Sequence, residues 1–579
     1  MKLFFKIFDA FNFKQKINFI FLLILIFFNT FLEMISIGMI LPLIALLTQD
    51  NFIDKYYFIL NYFNFFFELN KTNLIYFFII FLVVIFLIKN VLILLFSIFK
   101  YNFFFNILNI YSKKLYEIYI NKDYFFFTKN NSSVLIRNVD NVSIFSESIN
   151  QILFFITDFL TIFGLLILLM YFEFFGTIIL LLIVLFSYFF YSFCTRSTII
   201  NFGNSRQVYQ KKKIQTLYEG FSAIREIKIF LKEKFFINRY SNNLFSHSEA
   251  SKMYEIFQSL PKLWLEMIGV ISLSLLIFLF LPSSNTDLSI ISMLAIYGAS
   301  AFKIMPSLNR VISSTQFLIH YNSIIVEIIK QFKLNLTFSG LNNNLLKKEF
   351  NFQKSLKVNN LSFFYNKSNK IFSNLNFEIK KNETIGIIGK TGTGKSTFIN
   401  ILSGLIKANK GRITIDNTDI KSVVANYNPL FAIIPQSIFL LDDSILSNVA
   451  FGIDKNKINR KIFFESIKLA QLDKFIKGLP LKENTNVGER GIKLSGGQIQ
   501  RIGIARALYF QPKILILDEA TSSLDQKTES EFMKMLYSFK RKLTIIIVSH
   551  RMSTLIKCDK VFKIDNGKIK KIYATNFLS

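Results

Sequence analysis

Gly389-Lys-Thr-Gly-Thr-Gly-Lys-Ser-Thr397 sets the fold of the second half of this 579-residue chain. The nine residues match G-x-x-x-x-G-K-[ST], in which glycines let backbone N–H groups surround nucleotide phosphates. In this pattern Lys395 neutralises the β/γ-phosphates and Ser396 offers its hydroxyl to Mg²⁺. The apolar run Thr384-Ile-Gly-Ile-Ile388 precedes the loop, and the helix-forming residues Phe398-Ile-Asn-Ile-Leu402 follow it. The pattern predicts a strand, a phosphate-binding loop and a helix that together bind ATP or GTP.

The composition is too apolar for an ordinary soluble chain. Hydrophobic residues make up 52% of the chain, the mean hydropathy is +0.40, and the long apolar runs lie in the first 310 residues. A helix needs roughly 20 apolar residues to cross about 30 Å of hydrocarbon. Six stretches meet this length and predict six membrane spans, at residues 17–47, 74–99, 151–172, 176–195, 262–282 and 288–310.

The distribution of lysine and arginine predicts the orientation of these spans. Short cytoplasmic loops are enriched in both residues. The N-terminal tail and the segments 100–150 and 199–260 are basic, whereas the turn at 283–287 contains neither Lys nor Arg. We therefore expect a multi-pass protein of the cytoplasmic membrane with both termini in the cytoplasm. This orientation places the phosphate loop on the side that holds ATP.

The net charge of +30 does not indicate a nucleic-acid partner. Many of the lysines belong to loops that face anionic lipid headgroups, and no helix-turn-helix, zinc or RNA-binding pattern accompanies them. The two cysteines, Cys194 and Cys558, are far apart in sequence and fit a reduced cytoplasmic setting without a disulfide. We expect membrane lipid as a partner, and no nucleic acid.

Four further motifs follow the phosphate loop. They are Leu494-Ser-Gly-Gly-Gln498, Ile514-Leu-Ile-Leu-Asp-Glu519, Ser522-Ser-Leu-Asp525 and Ile545-Ile-Ile-Val-Ser-His550. In this order and spacing the set resembles the ATP-binding cassette (ABC) transporters, and the whole chain resembles an ABC half-exporter. The resemblance implies an α-helical six-span transmembrane domain of the ABC exporter type at 1–330, a linker at 331–355, and an α/β P-loop NTPase cassette at 356–579.

The resemblance also implies a role for each motif residue. Glu519 becomes the general base for the attacking water, and His550 polarises the γ-phosphate. Mg²⁺ is held by Ser396, Gln436 and Asp518. The implied ATP-binding residues are Tyr365, which stacks on adenine, and Gly389, Lys390, Thr391, Gly392, Thr393, Gly394, Lys395, Ser396, Thr397, Gln436, Ser495, Gly496, Gly497 and Gln498. The remaining histidines, His247 and His320, match no motif position.

The signature segment Leu494–Gln498 implies a second copy of the chain. In the resembled family this segment closes on ATP held by the opposite cassette. One chain carries one cassette, so we expect a homodimer with two competent sites. Val487-Gly-Glu-Arg-Gly491 resembles the exporter segment that touches the coupling helices, which the resemblance places near Asp123–Asn130 and Leu217–Glu226.

Several charged residues lie inside the predicted spans. A charged side chain is costly in the bilayer, so it tends to face an interior cavity. Lys89, Lys303 and Arg310 are cationic, and Asp158 and Glu266 lie at similar depths. The spacing of seven between Lys303 and Arg310 places them on one helical face. One hypothesis is a cationic strip that receives an anionic headgroup in a substrate cavity. The alternative is ion pairing between helices or snorkelling at the inner interface.

Two stretches resemble bacterial flippases for lipid-linked oligosaccharides more narrowly. They are Leu260-Pro-Lys-Leu-Trp-Leu-Glu-Met-Ile-Gly269 and Met305-Pro-Ser-Leu-Asn-Arg310. This resemblance implies ATP-driven flipping of a lipid-linked oligosaccharide across the bacterial inner membrane, and a short external helix within Asp50–Asn70. A drug, lipid A or peptide exporter remains the alternative. The intact Glu519 and His550 argue against a regulator that does not transport.

Overall fold

The computed structural model describes residues 2–39, 71–172, 174–280, 287–336, 352–366, 369–420, 430–521 and 526–572. The chain divides into two compact units. The first comprises Met1–Lys122 and Phe127–Leu341, and the second comprises Asp123–Phe126 and Asn342–Ser579. Three predicted segments lie wholly or largely outside the described residues: the external helix at 50–70, the loop at 522–525 and the linker at 331–355, whose first six residues are helical.

The first unit is built from helices. In chain order they are α1 (Lys2–Asp9), α2 (Phe13–Gly38), α3 (Lys71–Ile120), α4 (Tyr124–Lys129), α5 (Ser132–Asp140), α6 (Val142–Phe172), α7 (Phe174–Ser222), α8 (Ile224–Ile229), α9 (Glu233–Phe280), α10 (Asp287–His320) and α11 (Asn322–Leu336). The first three residues of α4 belong to the second unit. α7 and α9 pack along each other, and α6 packs against both α10 and α2. Helices suit a membrane because they satisfy every backbone hydrogen bond internally.

Four helical stretches of the described residues are long and apolar enough to cross a membrane. They are Phe13–Gly38, Ile75–Ile120, Ser132–Tyr171 and Phe174–Ser222, and they overlap predicted spans one to four. The described part of predicted span five, residues 262–280, lies in α9, and predicted span six lies in α10. Both are helical where described, and their crossing of the membrane stays a prediction. On α3, Ile80 and Leu87 are 64% and 61% exposed, as expected of side chains that face lipid.

Apolar packing and a few polar contacts hold the long helices together. Ile37, Leu165, Leu265 and Ile304 belong to one buried cluster that joins α2, α6, α9 and α10. Between α9 and α7, the indole Nε1 of Trp264 donates to the Ser187 hydroxyl at 2.8 Å. These paired polar groups fix the helix contacts because an unpaired polar group in an apolar interior is costly.

The second unit contains two sheets. Its strands are β1 (Ser355–Asn366), β2 (Asn369–Lys380), β3 (Thr384–Ile388), β4 (Lys410–Ile415), β5 (Thr418–Asp419), β6 (Phe431–Ile434), β7 (Ile514–Asp518), β8 (Thr544–Val548), β9 (Lys560–Asp565) and β10 (Lys568–Ile572). One sheet is antiparallel, with the order β2-β1-β4-β5, and the other has the order β10-β9-β3-β8-β7-β6.

The described part of the second unit also contains α-helices. They are α12 (Lys395–Leu402), α13 (Ile445–Val449), α14 (Arg460–Leu469), α15 (Asp473–Lys477), α16 (Gly496–Tyr509) and α17 (Gln526–Tyr537). β7 and β8 read as the continuous apolar runs Ile-Leu-Ile-Leu and Ile-Ile-Ile-Val, and these side chains are buried. Parallel strands covered on both faces show this pattern, which explains why the sequence folds as an α/β sheet here.

Candidate nucleotide-binding site

Four parallel strands bring the predicted motifs to one edge of the six-stranded sheet. β3, β8, β7 and β6 are neighbours in that order, and β3 pairs with β8, β8 with β7, and β7 with β6, all in parallel. Their carboxyl ends therefore meet at the same edge, which is where α/β sheets bind ligands. The phosphate loop follows β3, and His550, Glu519 and Gln436 follow β8, β7 and β6.

The loop between β3 and α12 has the backbone that a phosphate cradle requires. Gly392 and Gly394 have φ angles of +83° and +94°, which glycine adopts without strain. A Cβ on Gly394 would also lie 2.6 Å from Ile371 Cγ2, so a side chain does not fit there. Because α12 begins at Lys395, its free backbone N–H groups point toward the loop and favour an anion.

Lys395 lies at the centre of the site and is only 6% exposed. Its Nζ donates to the carbonyl oxygens of Gly389 at 2.9 Å and Lys390 at 3.1 Å. The same ammonium lies 3.0 Å from His550 Nε2 and 3.7 Å from Glu519 Oε1. The structure therefore brings the phosphate-loop lysine together with both residues that the sequence assigns to catalysis.

Glu519 and His550 contact each other directly. His550 Nε2 lies 2.8 Å from Glu519 Oε1. Glu519 has a φ of +52°, a left-handed conformation that is strained for a residue other than glycine, and its N–H donates to the Val548 carbonyl. The strained turn directs the carboxylate of Glu519 from the end of β7 toward the ring of His550. A carboxylate, an imidazole and an ammonium within hydrogen-bonding range can activate and orient a water molecule.

Asp518 and Ser396 form the oxygen pair that Mg²⁺ would use. The Ser396 hydroxyl donates to the Asp518 carboxylate, and burial raises the pKa of Asp518 above its usual range, with the Glu519 charge adding to the shift. Mg²⁺ binds hydroxyl and carboxylate oxygens and keeps several water and phosphate ligands, so this pair fits the ion. Gln436 lies beyond β6 at the same sheet edge.

Tyr365 lies beside the phosphate loop, at the end of β1. Its hydroxyl is 3.2 Å from Thr397 Oγ1, on the first turn of α12. Its ring lies parallel to that of Phe125 in the same unit, with centroids 5.9 Å apart and an interplanar angle of 19°. The position is compatible with an aromatic platform for adenine, and Phe125 is a partner that sequence reasoning did not identify.

The signature segment forms a capped helix start. Ser495 is the N-cap of α16, its hydroxyl accepts from the Gln498 N–H at 3.3 Å, and the Gln498 side chain accepts from the Ser495 N–H at 2.9 Å. A Cβ on Gly496 would meet nothing within 4 Å, so its backbone is open to a ligand. Within the described part of the chain, the hydrogen bonds of Ser495 and Gln498 stay at this helix start and do not reach Lys395.

In the first unit, each predicted intramembrane cation has a carboxylate partner. Lys303 Nζ lies 2.6 Å and Lys89 Nζ 3.8 Å from the same Glu33 Oε1. Arg310 donates to both carboxylate oxygens of Asp158, through Nε at 2.9 and 3.1 Å and through Nη2 at 2.6 Å. Glu33 was missed by sequence reasoning, although a carboxylate within span one is the signal that identifies it. A substrate role for Lys89, Lys303 and Arg310 stays a prediction.

The segments predicted to couple the domains are helical in part. α4 covers Tyr124–Lys129 within the predicted Asp123–Asn130, and the predicted Leu217–Glu226 spans the end of α7 and the start of α8. Val487–Gly491 forms a turn in which Gly488 and Gly491 both have a φ of +75°. The coupling role of all three segments stays a prediction.

Comparison with known proteins identifies the second unit and the fold. Residues 372–522 match the sequence family described as "ABC transporter". The chain is 30% identical over 357 residues to the "ATP-dependent lipid A-core flippase" of Saccharophagus degradans, an alignment covering 61% of this chain and 58% of the relative. It is 36% identical over 217 residues to the "Multidrug resistance ABC transporter ATP-binding and permease protein" of Lactococcus lactis, covering 37% of each chain. This chain therefore spans less than two thirds of the length of each of these relatives.

A solved structure resembles the chain over nearly its whole length. It is described as "Structure of a bacterial Atm1-family ABC exporter with ATP bound", and the match has a TM-score of 0.75, covers 98% of this chain and 96% of that chain, and has 18% sequence identity. This likeness establishes the fold alone. It confirms the predicted fold class, a helical transmembrane domain followed by an ABC ATPase domain.

Proposed function

We propose that this chain is an ATP-hydrolysing ABC half-exporter of the bacterial inner membrane, with both termini in the cytoplasm. The observation that carries the proposal is the contact of Lys395, Glu519 and His550 at the carboxyl edge of the parallel sheet. The family match over residues 372–522 and the exporter fold support it. The four membrane-length apolar stretches among the described residues support a location in the bilayer.

Each residue of the cluster has a distinct part in the proposed hydrolysis. The loop N–H groups and Lys395 bind the phosphates and neutralise charge that develops on the γ-phosphate. Glu519 accepts a proton from the attacking water, and His550, 2.8 Å from Glu519 Oε1, orients that water and the γ-phosphate. Ser396, Asp518 and Gln436 would hold Mg²⁺, and the bound ion would screen the phosphate charge. Tyr365 stacks on adenine.

The signature segment favours a homodimer. Its helix start offers the Ser495 hydroxyl and the backbone N–H groups of Gly496 and Gly497, which suit a phosphate. Within one chain, the hydrogen bonds between Ser495 and Gln498 stay at the start of α16. The signature segment therefore closes on ATP that is bound by the phosphate loop of a second copy. The homodimer then contains two ATP sites, each with Lys395 from one copy and Ser495 from the other.

The proposed substrate is a lipid-linked or amphipathic molecule with an anionic head, most specifically a lipid-linked oligosaccharide. Glu33 pairs with both Lys89 and Lys303, so these three side chains together keep one positive charge. Arg310 adds a cation that Asp158 balances. A surplus positive charge on an apolar helix bundle favours an anionic ligand. Relatives named as a lipid A-core flippase and a multidrug transporter make those substrates the alternatives, together with peptides.

Reconstitution in lipid vesicles tests this function. We expect ATP-dependent movement of a fluorescent lipid-pyrophosphate oligosaccharide across the vesicle membrane, and none with K395A. If the vesicles move lipid A or a hydrophobic dye and do not move the oligosaccharide, that molecule is the substrate and the oligosaccharide proposal is wrong. Absence of ATP hydrolysis in the wild-type vesicles would contradict the proposal as a whole.

Charge substitutions test the substrate cations. We expect K303Q to reduce the stimulation of ATP hydrolysis by substrate about fivefold or more, since it removes the surplus charge. K113Q is the matched control, because Lys113 forms an exposed pair with Glu117 in α3. Unchanged stimulation in K303Q would show that Lys303 only pairs with Glu33.

A further inference from the structure

A buried carboxylate outside the motifs contacts the residue next to His550. Glu529 lies on the first turn of α17, is 7% exposed, and accepts a hydrogen bond from Arg551 Nη1 at 2.5 Å. Arg551 directly follows His550 in sequence. Because a buried carboxylate needs a partner, this ion pair fixes where the backbone after His550 can lie.

α17 holds the same segment at a second point. The Tyr537 hydroxyl, at the other end of α17, donates to the Thr554 carbonyl at 2.6 Å. The Thr554 side chain links the two anchors by donating to the Arg551 carbonyl at 2.7 Å, and across His550 the Arg551 N–H donates to Ser549 Oγ at 3.0 Å. The turn that carries His550 is therefore tied to one helix by a network of hydrogen bonds.

The ring of His550 depends on this network because burial does not position it. Its side chain is 41% exposed, and the ring contacts Lys395 Nζ and Glu519 Oε1 through the single atom Nε2. A backbone shift of about 1 Å at a catalytic group can lower turnover roughly a hundredfold. The Glu529–Arg551 pair holds the residue after His550, and the Ser549 N–H, which donates to the Ile387 carbonyl, holds the residue before it.

We propose that Glu529 and Arg551 are positioning residues that hold His550 in register with Glu519 and Lys395. This inference rests on the proposed ATP hydrolysis. Neither residue has to touch nucleotide, since both act through the backbone of the His550 turn. Their loss lowers the rate of the hydrolytic step and leaves ATP binding intact.

The test is a double-mutant comparison of ATP hydrolysis by the full-length protein in vesicles. E529A leaves Arg551 free to reach solvent, because its side chain is already 45% exposed. We expect E529A to lower kcat about tenfold or more with the KM for ATP within about twofold of wild type. E529Q retains a hydrogen-bond acceptor for Arg551 and should recover part of the loss. It also repeats the test if E529A does not fold.

Non-additivity separates positioning from a general structural effect. If Glu529 acts only through His550, the E529A/H550A protein is as active as H550A alone. D454N is the control, because Asp454 and Lys457 form an exposed pair in the same unit whose loss should change nothing. Effects of E529A and H550A that multiply, or an E529A kcat within about twofold of wild type, would overturn the inference. An inactive wild type would instead overturn the proposed function, and the inference with it.

Discussion

The substitution of Gly203 by alanine is predicted to destabilise the transmembrane unit by overpacking one helix contact. Gly203 lies in α7, where an added Cβ would lie 2.3 Å from the backbone carbonyl oxygen of His320, the last residue of α10. Ordinary contact begins near 3.4 Å, so the two backbones must separate by about 1.1 Å. No rotamer change relieves this overlap, since both atoms are fixed by helical backbone.

The expected magnitude follows from two opposing terms. Overpacking of a tight contact costs about 1–3 kcal/mol. Replacing a helical glycine by alanine returns up to about 1 kcal/mol. A backbone overlap of this size corresponds to the upper end of the overpacking range, so the net loss is about 2 kcal/mol. Each kcal/mol lowers the midpoint of thermal unfolding by roughly 2–4 °C in a unit of up to about 250 residues, and by less in a larger one.

The assay is thermal unfolding of the detergent-solubilised protein, with G220A as the matched control. Gly220 lies in the same helix, and a Cβ there would meet nothing within 4 Å. We expect G203A to unfold several degrees below wild type and G220A to unfold at or slightly above it. Equal midpoints for the two variants would refute the close approach of α7 and α10 at this position.

Three further predictions concern the second unit. Y365A should raise the KM for ATP about tenfold with kcat little changed. Y365F should leave the KM unchanged, because stacking on adenine needs only the ring. An equal KM for ATP in Y365A and wild type would contradict the adenine platform. Burial raises the pKa of the Cys558 thiol to about 11. In a C194S protein, a maleimide should therefore label Cys558 at pH 7 at least about tenfold more slowly than it labels a model thiol. Labelling at the rate of the model thiol would contradict the burial of Cys558. The raised pKa of Asp518 means that protonation begins at a higher pH than for an ordinary aspartate. Activation by Mg²⁺ should therefore begin to weaken at a higher pH than an ordinary aspartate would give, and a pH-independent Mg²⁺ requirement would argue against Asp518 as a ligand.

The motifs of the second unit predicted the site well because parallel strands constrain it. Glu519 and His550 lie one and two residues after an apolar strand, and Lys395 lies seven residues after one, at the end of the phosphate loop. Neighbouring parallel strands end at one edge. Their mutual contact follows from this topology with little dependence on side-chain detail. The ring of Phe125 against Tyr365 did not follow, because Phe125 lies more than 200 residues earlier in the chain.

The charges of the first unit show where sequence reasoning ends. The spacing of Lys303 and Arg310 predicted that both lie on one face of a helix, α10. Their partners, Glu33 and Asp158, lie on α2 and α6. Helical periodicity identifies a face but not the helix that packs against it. The Glu529–Arg551 pair was not predicted either, because neither residue belongs to a motif.

Hydrolysis of ATP by the E519Q protein tests the central claim most directly. The substitution keeps the size of the Glu519 side chain and removes the carboxylate that accepts the proton from water. In vesicles, a single turnover of bound ATP should slow at least about a hundredfold relative to wild type, while ATP binding stays within a fewfold. Hydrolysis by E519Q at the wild-type rate would contradict the assignment of Lys395, Glu519 and His550 as an ATP-hydrolysing site.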